Sequence, residues 1–92
     1  MAEIRAHIRV SGRVQGVGFR YFVMRTAKFL RLTGWVKNTR DGGVEIVAEG
    51  REEMVSELIR ILPTGNTMAR VANVSVHRFK PDFSFDDFTI EY

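Results

Sequence analysis

The chain contains no cysteine. That excludes a disulfide framework, a thiolate nucleophile and any sulfur-ligated metal, and it fits a reducing compartment. No apolar run approaches the length needed to cross a bilayer, and the N-terminus lacks a secretory-signal pattern. A cytoplasmic protein without membrane attachment is expected. Acid is scarce in the first part of the chain: residues 1–40 hold nine Lys/Arg against Glu3 alone, whereas residues 41–92 hold five bases and ten acids. The net charge of +3 therefore conceals a basic part near +8 and an acidic part near −5. A basic part of this kind suits a small anion, a nucleic-acid backbone or a merely solvated surface.

What is present is ordinary for a folded domain. Ninety-two residues, 45% hydrophobic and 27% charged, can form one two-layer core, so a single domain over 1–92 is expected. Residues Ile4, Ala6, Ile8 and Val10 alternate with Arg5, His7 and Arg9, the mark of a strand with one wet face. Phe19, Val23, Ala27 and Leu30 recur at helical spacing over roughly 20–30. Two short strands, "TGWVKNT" and "GVEIVAEG", flank "RDGG", where Asp41-Gly42 predicts a tight hairpin with positive φ at both central residues. A second helix over "REEMVSELIRIL" begins with Glu52 and Glu53, which suit its dipole, and stops at Pro63. "RVANVSVHRF" predicts a fourth strand, and Phe88, Ile90 and Tyr92 alternate as a fifth. The order β-α-β-β-α-β plus a terminal strand predicts an α+β, ferredoxin-like sandwich: an antiparallel sheet with two helices on one face.

Function cannot be read from that fold, because it hosts many. The stretch "SGRVQGVGFRYF" is more telling. Glycines at 12, 16 and 18 let successive amides turn toward one point without Cβ clashes. The helix that follows adds its unpaired N-terminal donors and partial positive charge, and Arg20 brings a planar cationic fork matched to two phosphate oxygens. No Gly-Lys-Ser/Thr follows, so this is not a nucleotide P-loop, and the spacing is not that of a dinucleotide fold. "GVGFRYFV" lies in a loop and at a helix start rather than on the third strand, which argues against an RNA-stacking motif. Asn38, just before the hairpin turn, cannot act as a base but can hold a water through its amide. On these residues alone, an enzyme and a non-catalytic module binding phosphate or RNA both remain open.

Together, "GRVQGVGFR" at 12–20 and "GWVKN" at 34–38 resemble the acylphosphatase family, and the similarity runs from the first strand to "FTIEY". The resemblance implies hydrolysis of acyl phosphates, the mixed anhydrides of a carboxylate and phosphate, without metal or cofactor. It implies that Arg20 binds the phosphoryl oxygens with the amides of Gln15, Gly16, Val17, Gly18, Phe19 and Arg20, and that Asn38 orients the attacking water. The implied partners are a small acyl phosphate and inorganic phosphate, with no nucleic acid or membrane; a monomer is expected. The chain's end at Tyr92 without zinc-type cysteines points to a free-standing enzyme rather than the acylphosphatase-like front domain of hydrogenase-maturation proteins. The chemistry agrees: a carboxylate of pKa about 4 departs without a protonating acid, and the loop holds no His, Cys, Asp or Glu.

The chain departs from the family at Arg31, where glycine is usual. Glycine there would relieve a left-handed helix cap, so arginine is expected to cost stability. The loop "PTGNTMARV" is also longer than typical. His7 and His77 lack a carboxylate or thiol at metal-ligand spacing, and Trp35 is expected to pack on the sheet. Val17 and Phe19 are expected to anchor the glycine loop.

Overall fold

A computed structural model describes residues 2–92. Seven elements follow in order: β1 (Glu3–Arg13), α1 (Phe19–Phe29), β2 (Thr33–Asn38), β3 (Val44–Arg51), α2 (Glu52–Ile61), β4 (Arg70–Phe79) and β5 (Phe88–Glu91). They build one five-stranded sheet in the order β4-β1-β3-β2-β5. The alternation of β1 sends Ala6, Ile8 and Val10 into the core, where Val36, Ile46 and Ala48 of the neighbouring strands meet them. Both helices close over that face: α1 buries Phe19, Val23 and Ala27, and α2 buries Val55 and Leu58. The ferredoxin-like arrangement expected from the sequence is present.

The sheet is mixed rather than antiparallel throughout. Strands β1, β3, β4 and the β2–β3 pair run antiparallel, but β5 lies parallel to β2, with Gly34 opposite Phe88 and Val36 opposite Ile90. The reason lies in the route of the chain. β4 ends beside Arg5, at the end of the sheet where β2 begins, so the segment 80–87 crosses along that end and enters β5 in the direction of β2. Glu49, buried on β3, fixes this crossing. Its carboxylate accepts from the Asp82 and Phe83 amides at 3.1 and 3.0 Å and from Arg5 Nε at 2.9 Å. Arg5 in turn pairs with Asp82. A buried carboxylate so fully hydrogen-bonded escapes the desolvation penalty of an unpaired charge.

Two turns differ from the sequence reading or sharpen it. The β2–β3 hairpin has positive φ at Gly42 alone, at 91°, and Asp41 stays on the negative side. The loop is longer than a two-residue turn: Gly42 N donates to Thr39 O and Thr39 N to Gly43 O. Asp41 works through its side chain, accepting from the Thr39 hydroxyl and the Gly43 amide. Those bonds, the Thr39 hydroxyl foremost, hold its carboxyl below the usual range. Gly12 likewise belongs to β1, as a bulge where the register with β4 shifts, and not to the loop beyond it.

Arg31 has φ 60°, the left-handed conformation that its position suggested. Leu32 N donates to Ala27 O at 2.9 Å and Arg31 N to Lys28 O at 3.0 Å, the paired bonds of a Schellman cap on α1. The motif needs the left-handed residue, and arginine adopts it at a cost that glycine avoids. Arg31→Gly is therefore expected to stabilise the protein by up to about 1 kcal/mol, read as a melting temperature higher by about 4–8 °C at most. A clear fall in melting temperature would mean that the arginine side chain contributes more than its backbone costs.

Candidate active site

The C-terminal ends of β1, β2 and β5 open onto one end of the sheet, and the loop leading into α1 lies there. Its two glycines, Gly16 and Gly18, each have φ 75°. A Cβ at either would meet nothing within 4 Å, so glycine is needed for conformation and not for room. Gly18 is the N-cap of α1 and offers no side-chain cap, which leaves the first amides of the helix without a side-chain partner. That pattern turns the loop and the helix mouth into a concentration of donors and partial positive charge.

The rest of the loop is anchored so that these amides stay in place. Val14 and Phe19 are buried, and Val17 packs half-buried against the core, as its apolar character suggested. The Phe19 ring sits 5.5 Å from that of Phe22. Gln15 contributes through its side chain: Nε2 donates to Thr39 O and to Gly43 O, both at 2.8 Å. Those two bonds tie the loop to the hairpin that follows Asn38. From the opposite side, Asn66 Nδ2 donates to Val17 O at 3.2 Å. The 63–69 loop, which the sequence marks as longer than typical, thus braces the glycine loop.

Arg20, in the first turn of α1, is half-buried, and among the described residues no carboxylate pairs with it. Its guanidinium lies 4.9 Å from the centre of the Tyr92 ring, a stacking that orients the fork without neutralising it. Tyr92 lies beyond β5 and is exposed, so it does not continue the strand alternation as the sequence suggested. Asn38 is the last residue of β2. Its Oδ1 is buried and accepts no hydrogen bond from any described residue. Such an acceptor costs about 1–3 kcal/mol when left unmet, which marks the position as serving something other than stability.

Gly16, Gly18, Phe19, Arg20 and Asn38 line a single cleft of about 310 Å³, with Ile90 and Tyr92 forming its far wall. Five of the seven residues singled out in the sequence thus line one cleft, while Val17 packs against the core and Gln15 braces the loop. Three contributors were not foreseen. Tyr92 had been read as a strand residue, Asn66 as part of a loop, and Gln15 only for its amide. Elsewhere, His7 and His77 sit directly opposite across β1 and β4, and no cluster of three metal-ligating side chains occurs among the described residues. Trp35 lies half-buried on the sheet with Lys37 Nζ 5.4 Å from its ring.

Comparisons with known proteins point to one family. The family model described as Acylphosphatase matches residues 6–90. An acylphosphatase of Syntrophotalea carbinolica is 44% identical over 92 residues, covering all of both chains. One from Thermococcus kodakarensis is 48% identical over 82 residues, 89% of this chain and 90% of its own. The crystal structure of acylphosphatase from Bacillus subtilis superposes with a TM-score of 0.93 at 42% identity, covering 97% of this chain and 99% of that one.

The double tie made by Gln15 generates an expectation of its own. Gln15→Ala removes two hydrogen bonds to carbonyls, each worth about 1 kcal/mol, so stability should fall by about 1–2 kcal/mol. Amide exchange at 16–19 should accelerate more than exchange in β1 or β3. Uniform acceleration across the sheet would show that the side chain supports the whole fold and not this loop.

Proposed function

This chain belongs to the acylphosphatase family and is an acylphosphatase, hydrolysing small acyl phosphates to a carboxylate and inorganic phosphate; on that premise we propose that Arg20, Asn38 and the amides of residues 15–20 carry out the reaction. The phosphoryl oxygens are received by the amides of Gln15, Gly16, Val17, Gly18, Phe19 and Arg20, with the Arg20 guanidinium taking two of them. Phosphoryl transfer asks mainly for position and charge stabilisation, and fixed dipoles with a cation provide both. The observation that supports this most is the meeting of both left-handed glycines, Arg20 and Asn38 in one cleft.

In this reading Asn38 holds the attacking water through its amide, on the far side of phosphorus from the acyl oxygen. A new bond forms from the water oxygen to phosphorus, and the bond from phosphorus to the acyl oxygen breaks with its electron pair going to the carboxylate. The water's proton passes to a phosphoryl oxygen of the substrate. No acid is needed for departure, since a carboxylate with a pKa of about 4 is a stable anion. The site residues need neither metal nor cofactor for these steps. A single domain, a monomer free of nucleic acid and membrane, and a cytoplasmic location complete the proposal. The cysteine-free composition supports the last, and no helix among the described residues is long and apolar enough to cross a membrane.

Arg20→Ala and Asn38→Ala should each lower acetyl phosphate hydrolysis by about a thousandfold or more, with circular dichroism and melting temperature near those of the parent. Arg20→Lys should fail almost as badly, because an ammonium cannot reproduce a two-pronged contact. Hydrolysis should persist in chelator, be inhibited competitively by inorganic phosphate, and follow the ionisation of the substrate across pH. Normal turnover in either alanine variant would remove that residue from the mechanism.

A further inference from the structure

Beyond the phosphate cleft, a second and larger groove of about 680 Å³ runs along the exposed face of α1. It begins at Gly18 and Tyr21, which also line the phosphate cleft, so the two adjoin. Its floor and walls are mostly apolar, formed by Phe22, Phe29 and Gly65. Phe29 is 85% exposed and Tyr21 55%, unusual for aromatic side chains on a helix that already buries its other face. Tyr21, Arg25 and Phe29 stand at i, i+4 and i+8, one stripe leading away from the cleft.

The charges in this groove are unequal. Lys28 is committed to Asp87, at 3.7 Å. Arg25 pairs with no carboxylate among the described residues, and its guanidinium lies 5.5 Å from the Tyr21 ring centre. Five helical residues separate Arg20 from Arg25, a rise of about 7.5 Å. The Arg25 guanidinium reaches back over Tyr21, the residue that lines both cavities.

We propose that this groove is the acyl-group subsite, and that Arg25 selects acyl phosphates whose apolar or aromatic acyl body ends in a second anionic group. The proposal rests on the phosphate-binding role of the 15–20 loop. With the phosphoryl group in the cleft, the acyl body lies over Tyr21 and against Phe22 and Phe29. Its terminal carboxylate or phosphate then meets a guanidinium already oriented by an aromatic ring.

Three substrates separate the parts: acetyl phosphate, benzoyl phosphate and 4-carboxybenzoyl phosphate. The parent should show kcat/KM rising in that order. Arg25→Gln should reduce the ratio of carboxybenzoyl to benzoyl phosphate about tenfold through KM, leave the ratio of benzoyl to acetyl phosphate in place, and regain part of the preference as Arg25→Lys. Phe29→Ser should lower both aromatic substrates against acetyl phosphate. Arg78→Gln, the same charge change on the distant strand β4, should alter none of the ratios. Equal kcat/KM for benzoyl and carboxybenzoyl phosphate in the parent, or a parallel change of all three in Arg25→Gln, would overturn the subsite. Failure of the phosphate-site reading is separately visible, as acetyl phosphate turnover surviving in Arg20→Ala.

Discussion

Backbone amides, a helix N-terminus and a guanidinium repel one another when they are gathered at one point. Folding brings them together here with no carboxylate among the described residues paired to Arg20 to relieve the strain, so the surrounding structure must supply the restraint. It does so from every side. Phe19 and Val14 are sunk in the core, Gln15 ties the loop to the hairpin, Asn66 holds Val17 from the other flank, and the Tyr92 ring lies against the guanidinium. Preorganised donors of this kind cost no rearrangement when an anion arrives, which is the usual origin of electrostatic catalysis.

Much of this was legible from the chain itself. The alternation of β1, the helical spacing of Phe19, Val23 and Ala27, and the glycines at 16 and 18 are local signals, and each corresponds to the element it suggested. The left-handed Arg31 was legible for the same reason, since a helix cap is decided within a few residues. Contacts between distant segments were not. Gln15 reaches residues 24 and 28 positions away, and Asn66 reaches back 49. Neither has a sequence signature, because glutamine and asparagine are ordinary loop residues until tertiary structure gives them a partner. The parallel pairing of β5 was hidden likewise: alternation reveals a strand but not its direction. Asp41-Gly42 misled in the opposite way, since the dipeptide favours a two-residue turn while this hairpin uses Asp41 as an acceptor for Thr39 and Gly43.

In the proposed reading, stability and activity divide the molecule lengthwise. At the end where β2 begins, Glu49 satisfies Arg5 and two loop amides, a polar group closed on itself. At the other end Asn38 Oδ1 is left unmet and Arg20 unpaired among the described residues. Buried polar groups are ordinarily satisfied, so an unmet acceptor beside an uncompensated cation sets the end proposed as the working one apart from the supporting one. The core between them is shared: Ala6, Ile8 and Val10 of β1 lead directly into the glycine loop.

The placement of β5 also governs when the proposed site can be complete. The cleft takes one wall from the segment after β1, one residue from the end of β2, and its far side from Ile90 and Tyr92. No fragment of the chain holds all three. A partly folded intermediate with the four central strands paired would expose an incomplete binding surface, with the guanidinium free to swing. If the cleft is the active site as proposed, turnover is a reporter of completed topology, and in refolding its recovery should trail the return of sheet structure by whatever time the last edge takes to dock.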